Sequence, residues 1–356
     1  MMENLRAVAG GVLAAGFLAA GLAAGPAAAQ DLPKREFKIV GSWGNLTNYN
    51  NVEKPFWNKA IPDASGGKIT ANITPLTELG LKGFEVLRLV KLGVFDFAYG
   101  VIGYVAEDPV FEGVDLSIMA QDIETMRKLT EVYRPVLDKA FQAKFGAKLL
   151  AMMSYPSQMI YCKGPIKSLA DLKGKKIRIY STTLGDFADA VGATGVTVSF
   201  PEVVPALEKG VLDCGITGTM PAYDGKWHEV ISTVYALRLG WGASFFAVNL
   251  NVWNKLDVPT RTFLEKQFAA HEDNFWKNTA ADDRDGIACS TGTAPCPKGP
   301  PGKMQLVEPA GPDIQLRQQI MREFIIKRWA KRCGAACVAD WNATIGKAIG
   351  ETASVN

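Results

Sequence analysis

Short apolar strands alternate with helical segments over about two thirds of this chain, and this alternation restricts the fold more than any other feature. Strands separated by stretches with apolar residues at helical spacing are typical of a parallel α/β unit. Ligands of such sheets bind at the carboxyl ends of the strands, where we expect Trp43 and Tyr99 to lie. The predicted strands are residues 37–43, 68–73, 94–100, 148–153, 176–180, 211–217 and 245–248.

The chain also carries two long helical patterns and signs of a second domain. Apolar residues three and four apart predict one helix over residues 122–145, and another begins at Pro259 and Thr260. Residues 154–158 predict a loop where the chain enters a second domain, and the strand at 245–248 predicts a return to the first. Because 356 residues are too many for one ordinary domain, we predict two lobes with the chain crossing between them at least twice.

The first thirty residues have the composition of an export signal. A single positive charge, Arg6, precedes an apolar run rich in Ala, Gly and Leu that ends in three alanines at residues 27–29. Small residues at that point suit signal peptidase, so we predict a signal peptide over residues 1–29 that is cleaved near Ala29. An uncleaved membrane anchor is the alternative, but the run is short and rich in glycine. We therefore expect an exported protein.

The charge balance excludes partners that are bound mainly by long-range electrostatics. The chain has 39 Lys and Arg against 36 Asp and Glu, a formal net charge of +3. This excess is too small to indicate a nucleic-acid partner or an anionic lipid surface. Any basic residue that matters for function must therefore act locally.

Six cysteines in an exported chain are consistent with disulfide bonds. Cys162 and Cys214 lie in short apolar stretches, and the sequence leaves open whether they are free thiols or a pair. The spacings do not match a zinc site and the chain has two histidines, so we predict no metal. The candidate local disulfides are Cys289 with Cys296 and Cys333 with Cys337.

Motifs for common enzymatic chemistry are missing from the sequence. It contains no GxSxG elbow, no P-loop and no GxGxxG after a strand, and two histidines leave little room for a catalytic triad. No close pair of carboxylates lies inside an apolar run. We predict that the protein is not an enzyme and needs no cofactor, with a lyase or hydrolase as the alternative.

Arg178 stands out because it interrupts the apolar strand at residues 176–180. The alternative interpretation is a solvated or structurally paired arginine at an edge strand. Lys173, Lys175 and Lys176 already provide surface charge, however, and a Ser-Thr-Thr bend and a helix follow the strand. A guanidinium at the carboxyl end of a strand can bind a carboxylate with two hydrogen bonds, helped by the amides of the next helix.

Several spaced motifs follow one another on both sides of this arginine. The motifs are Pro-Ile-x-Ser-x-x-Asp-Leu-Lys-Gly at 165–174, Lys-Ile-Arg at 176–178, Gly-Ala-Thr at 192–194, Pro-Glu-Val at 201–203 and Leu-x-x-Gly-Val-x-Asp at 207–213. In this order they resemble the core signature of the solute-binding proteins of tripartite ATP-independent periplasmic (TRAP) transporters, and the similarity extends over residues 37–276.

The resemblance implies a two-lobe α/β periplasmic binding protein fold, with a long connecting helix and an interlobe cleft that closes on an organic acid. We expect the first lobe to comprise residues 30–153 and about 240–285, and the second lobe to comprise residues 154–239. The C-terminal helices, about residues 286–356, are expected to pack across both lobes.

The resemblance also assigns three polar site residues. The arginine of the family's Lys-Ile-Arg strand binds the substrate carboxylate, and this residue is Arg178. Gln158 stands where the family often has a second arginine, a variant that resembles the branch for 2-oxo acids and related aryl acids. Thr217 replaces the asparagine of the family's Gly-x-Glu-Asn element and Ile216 replaces its acidic residue, which counts against sugar acids, dicarboxylates and a bridging cation.

Five aromatic residues are expected at loops or strand ends that face the cleft. Core or hinge packing is the alternative for each of them, and we favour it for Tyr99 and Phe245. Together they suggest an apolar or aromatic ligand body beneath one carboxylate. The five are Trp43, Tyr99, Tyr155, Trp241 and Phe245.

We therefore predict the exported receptor of a TRAP transporter, a monomer that captures an organic monocarboxylate and delivers it to integral membrane subunits. An aromatic or branched 2-oxo or 2-hydroxy acid is the favoured ligand. A periplasmic enzyme acting on a small organic acid, or a sensory ligand-binding module of the same fold, is the alternative.

Overall fold

The computed structural model describes residues 32–105 and 108–355. The predicted signal peptide, residues 1–29, lies outside the described residues. Within the described ranges, every helix is too short or too polar to cross a bilayer.

The strands join into a mixed sheet in which parallel and antiparallel neighbours occur together. The order is β2-β1-β3-β9-β4-β7-β5-β6, and β8 pairs with β4 while β10 pairs with β8. We call the part around β1, β2, β3 and β9 the first lobe, and the part around β5 to β8 and β10 the second lobe. The strands are β1 (Arg35–Gly41), β2 (Ile69–Pro75), β3 (Phe97–Val101), β4 (Ala147–Cys162), β5 (Lys176–Ile179), β6 (Thr194–Thr197), β7 (Cys214–Gly218), β8 (Thr233–Tyr235), β9 (Trp241–Asn249) and β10 (Gln305–Val307).

Strand β4 belongs to both lobes. Its first half pairs with β9, and its second half pairs with β7 and β8. The prediction of a loop at residues 154–158 is wrong, because the strand continues through this stretch with a shift of register between Ser154 and Ser157. The irregular step accommodates Pro156, which has no N–H to donate to a regular ladder.

Helices cover the sheet, and their ends follow from ordinary capping. The predicted helix at 122–145 is confirmed as α4, where Asp122 accepts a hydrogen bond from the Thr125 N–H at the first turn. It ends at Gly146, whose φ of 54° suits glycine. The helices are α1 (Ile61–Ala64), α2 (Val86–Lys91), α3 (Pro109–Glu112), α4 (Ile123–Phe145), α5 (Thr182–Ala190), α6 (Val203–Glu208), α7 (Thr219–Asp224), α8 (Leu250–Asn254), α9 (Val258–Thr291), α10 (Gly311–Ile320), α11 (Ile326–Trp341) and α12 (Lys347–Ile349).

The 34-residue helix α9 connects the two lobes. Near the middle of the sheet, the Trp276 Nε1 group donates to the carbonyl of Met152. Further along, the carboxylate of Asp283 accepts hydrogen bonds from the N–H and hydroxyl of Ser157 and from the hydroxyl of Thr219. Together these contacts anchor one helix on the shared strand β4 and on the second lobe. The predicted two-lobe α/β architecture with a long connecting helix is thereby confirmed.

The C-terminal helices rest on the first lobe and reach the second. The indole N–H groups of Trp329 and Trp341 donate to the backbone carbonyls of Pro109 and Gly113 beside α3. Arg332 of α11 pairs both with Glu112 of α3 and with Asp186 of α5.

All three disulfides expected or left open by the sequence are formed. The predicted local pairs, Cys289–Cys296 and Cys333–Cys337, are confirmed. Cys162 and Cys214, which the sequence left open, face each other on the antiparallel strands β4 and β7 and also form a disulfide.

Candidate functional site

A small cavity lies between the lobes at the carboxyl ends of strands β3, β5 and β7. Its volume is about 40 Å³. A cavity of this size can hold ordered water. It is lined by Trp43, Leu46, Val101, Tyr104, Tyr155, Gln158, Arg178, Tyr180, Phe200, Thr217, Gly218, Pro221 and Gly242.

Arg178 is the cationic side chain of this lining, and it is 1% exposed. Its Nε donates to the carbonyl of Val198 (2.9 Å) and its Nη1 to the carbonyl of Ile216 (2.7 Å). Its Nη2 donates to the hydroxyl of Tyr104 (3.0 Å), and its Cζ lies 4.9 Å from the centre of the Tyr180 ring. These contacts fix the plane of the guanidinium.

None of these partners of Arg178 is negatively charged. No salt bridge joins its guanidinium to a carboxylate within residues 32–105 and 108–355. A guanidinium has five N–H groups. The three hydrogen bonds above leave one N–H on Nη1 and one on Nη2, the number that a bidentate carboxylate accepts. The site is therefore a buried positive charge that can still bind an anion.

The local sequence explains how Arg178 reaches the cavity. Strand β5 runs parallel between β6 and β7, with Arg178 opposite Val196 and Gly215. A Cβ at Gly215 would lie 2.7 Å from the Trp227 ring, so glycine is needed for the indole to pack beneath the strand. After β5, Ser181 accepts a hydrogen bond from the Leu184 N–H and starts helix α5 at the edge of the site.

Gln158 lies on β4 opposite Gly218 of β7, and it is 5% exposed. Its Nε2 donates to the carbonyl of Pro156 at 2.7 Å. A Cβ at Gly218 or at Gly242 would lie 3.2 Å from this Nε2, so the amide nitrogen is packed between two stretches of glycine backbone. The two glycines leave the space in which the side chain extends to the cavity wall.

The other polar and aromatic groups complete a largely uncharged enclosure. Thr217 is buried on β7, and Trp43 packs edge-on against Tyr155 (6.2 Å between centroids) and Phe200 (6.0 Å). Burial raises the pKa of Tyr104, although the neighbouring guanidinium of Arg178 lowers it in part. Aromatic walls around one cation suit a ligand that is apolar apart from a single negative charge.

A buried carboxyl group lies just behind this wall. Glu53 is 1% exposed and accepts a hydrogen bond from the Ser42 N–H at 2.8 Å. Burial raises its pKa to about 7, so this carboxyl group is about half protonated at neutral pH.

The two lobes touch each other around the rim of the cavity. Lys82 of the first lobe pairs with Glu202 of the second at 2.5 Å. The N–H of Thr47 donates to Asp224 of α7 at 2.9 Å, while its hydroxyl donates to Asp282 of α9. The cleft in this structure is thus closed over the site.

Of the residues predicted from the sequence, five line the cavity: Arg178, Gln158, Thr217, Trp43 and Tyr155. Trp241 is buried beside the lining residue Gly242 and does not itself line the cavity.

Tyr99 and Phe245 also lie outside the lining. The Tyr99 hydroxyl accepts from Trp57 Nε1 (3.1 Å) and bonds His271 Nε2 (2.7 Å) in the core of the first lobe. The Phe245 ring fills the space over Gly100, where a Cβ would meet it at 2.3 Å.

Sequence reasoning missed several residues of the lining. Tyr104 and Tyr180 follow the carboxyl ends of β3 and β5, so the rule that ligands collect there could have found them. Phe200 and Pro221 carry no such signal, since Phe200 lies in a 3-10 turn before α6 and Pro221 lies inside α7. The missed residues are Leu46, Val101, Tyr104, Tyr180, Phe200, Gly218, Pro221 and Gly242.

No cluster of three or more His, Cys, Asp or Glu side chains suited to a metal ion occurs in the described part of the chain. The polar side-chain groups of the cavity lining are the guanidinium of Arg178, the amide of Gln158, the indole N–H of Trp43, which has no hydrogen-bond partner among the described residues, and the hydroxyls of Thr217, Tyr104, Tyr155 and Tyr180.

A family model matches most of the chain. Residues 43–294 match the model described as bacterial extracellular solute-binding protein, family 7 (DctP). The C4-dicarboxylate-binding periplasmic protein DctP of Rhodobacter capsulatus is 28% identical over 218 residues, which are 59% of this chain and 63% of that protein. The match thus spans slightly under two thirds of the length of that relative.

Solved structures share the fold. DctP7 of Bordetella pertussis, an extracytoplasmic solute receptor binding pyroglutamic acid, superposes with a TM-score of 0.77 at 24% identity, covering 86% of this chain and 99% of the other. A TRAP periplasmic solute-binding protein from Desulfovibrio salexigens with bound orotic acid gives a TM-score of 0.78 at 18% identity, covering 87% and 97%. At these identities the likeness establishes the architecture.

Proposed function

The chain belongs to the bacterial extracellular solute-binding proteins of family 7, and we propose that it is the substrate receptor of a TRAP-type secondary transporter for a small organic monocarboxylate. Arg178 binds the carboxylate and the aromatic walls enclose the remainder. The ligand is a 2-oxo or 2-hydroxy acid with a branched or aromatic side chain.

One observation carries this proposal: Arg178 is fully buried in a closed interlobe cavity and pairs with no carboxylate within the described residues. Burying a charge without a counter-charge is unfavourable, and a bound anion relieves that cost. The two remaining N–H groups on Nη1 and Nη2 match a carboxylate in number.

The lining also supports one negative charge in preference to two. Arg178 is the cationic residue among the lining residues, and Gln158, at the position where the family often has a second arginine, adds no second positive charge. A dicarboxylate would therefore bury one charge against uncharged aromatic rings. The ligands named for similar proteins include acids with one carboxyl group, pyroglutamic acid and orotic acid, and also dicarboxylates, so the preference for one charge rests on the lining itself.

The volume of the cavity supports a short ligand. Its small size, about 40 Å³, favours a short branched acid over an aryl acid among the ligands considered.

The decisive experiment is a thermal-shift screen of organic acids, followed by calorimetry of the best ligand with Arg178→Met. A buried, hydrogen-bonded charge pair is worth at least ~2 kcal/mol, so we expect affinity to fall about 30-fold or more. Arg88→Met, on the exposed face of α2, is the matched control and should bind normally. Arg178→Met binding within threefold of wild type would refute the carboxylate clamp.

Ligand chemistry provides a second test that needs no variant. The primary amide of the best acid keeps its shape but loses its charge, so wild-type protein should bind it at least 30-fold more weakly. Conversion of the ligand to a product by the purified protein would favour an enzyme instead.

We further propose that the protein is exported to the periplasm, acts as a monomer and delivers its ligand to integral membrane subunits. The family description as an extracellular solute-binding protein supports the location, and the closed cleft supports a form that docks with ligand enclosed. Ligand uptake by reconstituted membrane subunits should depend on this protein. Docking to a kinase receptor instead would identify a sensory module.

A further inference from the structure

A second, larger space lies next to the ligand cavity. It is a groove of about 360 Å³ between the lobes, lined by Phe84 and Gly103 of the first lobe and by residues of β5, α5 and β6 of the second. Phe84 is 38% exposed, so the groove is open to solvent. Among the residues that the structure describes, Tyr180 alone lines both this groove and the cavity.

The aromatic ring of Tyr180 fills the space between the groove and the cavity. A Cβ at Gly103, which lines the groove, would lie 2.7 Å from the ring carbon Cε2. A Cβ at Gly242, which lines the cavity, would lie 3.3 Å from the hydroxyl oxygen of the same ring. The ring thus extends from one space to the other, and its removal would join them.

Neighbouring groups hold this ring in place while the cleft is closed. The Cζ of Arg178 lies 4.9 Å from the centre of the ring, a cation–π contact, and the ring of Tyr104 lies 5.6 Å away between centroids. The backbone of Gly103 meets the edge of the ring from the opposite lobe. Because Tyr180 is 7% exposed and packed on these sides, the ring forms a fixed wall of the closed cavity.

The groove beyond this wall has room and apolar surface for the end of a longer ligand. Another adjoining space, which shares Val101 and Tyr104 with the cavity, measures only about 10 Å³. The groove presents the exposed ring of Phe84 and the side chain of Ile179, whose Cδ1 would lie 3.0 Å from a Cβ at Gly195. An alkyl chain that passed the position of Tyr180 would therefore find apolar contacts.

We propose that the ring of Tyr180 limits the length of the ligand, because it closes the cavity against the groove and so excludes acids with long side chains. The inference rests on the proposed function of this site as a monocarboxylate receptor, and it adds a limit on chain length to the ligand class. A methylene group that gains apolar burial tightens binding about fourfold. A methylene group that meets a fixed wall weakens binding instead.

The first test needs no variant. Calorimetry compares 2-oxoisovalerate, 2-oxoisocaproate and 6-methyl-2-oxoheptanoate, which carry the same isopropyl end at increasing distance from the keto carbon, together with the corresponding 2-hydroxy acids. We expect the wild-type protein to bind the shortest acid about tenfold or more tightly than the longest. Affinity that is equal across the series, or that rises to its longest member, would overturn the inference, because no wall would then meet the chain.

Variants then assign the limit to the residue. Tyr180→Ala joins the cavity to the groove, so the longest acid should bind at least as tightly as the shortest. The ratio of the two affinities is the readout, since general damage to the site lowers both alike. Tyr180→Phe keeps the ring and should keep the wild-type ratio, whereas Tyr180→Val, the second variant if alanine prevents folding, should shift it as alanine does. A wild-type ratio in Tyr180→Ala or Tyr180→Val would overturn the role of Tyr180.

The two levels of the proposal fail differently. Arg178→Met should weaken binding of every acid in the series, since all of them carry the carboxylate. If the acids bind and depend on Arg178 but chain length has no effect, or if phenylpyruvate binds more tightly than the shortest acid, the inference fails and the proposed function stands. If the wild-type protein binds none of these acids, the proposed function fails and the inference fails with it.

Discussion

Replacing Gly286 of helix α9 with alanine should loosen the contact that holds α7 in place. A Cβ at this position would lie 2.2 Å from the backbone nitrogen of Met220 and 2.4 Å from the carbonyl carbon of Thr219. Both atoms belong to the backbone, so no rotamer change can relieve the overlap. A carbon needs about 3.4 Å or more, so α7 must move away from α9 by about 1 Å.

Two opposing terms determine the size of the effect. Alanine is a better helix former than glycine by about 1 kcal/mol, which favours the variant. Overpacking against a fixed neighbour costs typically ~1–3 kcal/mol, and backbone contacts lie at the upper end because little can relax. We therefore expect Gly286→Ala to lower the free energy of unfolding by about 1–2 kcal/mol.

The displacement should also reach the ligand site. Helix α7 begins directly after Gly218, and Pro221 within it lines the cavity. The hydrogen bond from Thr219 to Asp283 of α9 would lengthen as α7 moves. We expect ligand affinity to fall about tenfold, a size consistent with a 1 Å shift of a positioning element.

Urea unfolding and calorimetry of the same variant measure both effects. The control is Gly185→Ala in helix α5, where a Cβ would meet only the flexible end of Ile179, at 3.2 Å. That variant should be neutral or slightly more stable, because the propensity term acts with little opposing strain. A Gly286→Ala protein as stable as wild type, with unchanged affinity, would refute the reasoning.

Two further predictions concern stability. The Cys162–Cys214 disulfide closes a loop with a sequence separation of 52, so replacing both cysteines with serine should lower the free energy of unfolding by about 4 kcal/mol. The same change at Cys333 and Cys337, with a separation of 4, should lower it by about 2 kcal/mol. Thermal melts that give the reverse order would contradict the loop-entropy argument. Burial raises the pKa of Glu53 from 4.5 to about 7, so protonation favours the folded state and stability should fall by up to about 3 kcal/mol as the pH rises through this window. Urea unfolding at pH 5 and pH 8 should show this loss in the wild type but not in Glu53→Gln, and equal losses in both proteins would show that another group is responsible.

The sequence predicted the strand–helix order well because each element has its own local signal. Asp122, for example, marks the start of α4, and Gly146 marks its end. The loop prediction at residues 154–158 was wrong for a local reason as well. Pro156 normally argues against a strand, and only the pairing of β4 with strands of both lobes shows that the chain remains extended there.

The site was only partly predictable because side chains from both lobes form it. Arg178 could be found because a charge in an apolar strand is unusual at any position. Tyr99 could not be assigned to the core or the cavity in the same way, since β3 is buried along its whole length and shows no alternation that identifies the cavity side. The pairing of Cys162 with Cys214 likewise depends on the register of β4 and β7, which the sequence does not specify.

Because strand β4 belongs to both lobes, the polypeptide cannot be divided into one fragment for each lobe. Its backbone amides hold β9 on one side of the bulge and β7 and β8 on the other, so no cut in the chain separates two intact sheets. A fragment that ends at the bulge would expose unpaired strand edges, which are sites of aggregation. The two lobes are thus inseparable as polypeptides, and opening of the cleft has to deform the shared strand β4, because no free linker joins its two halves.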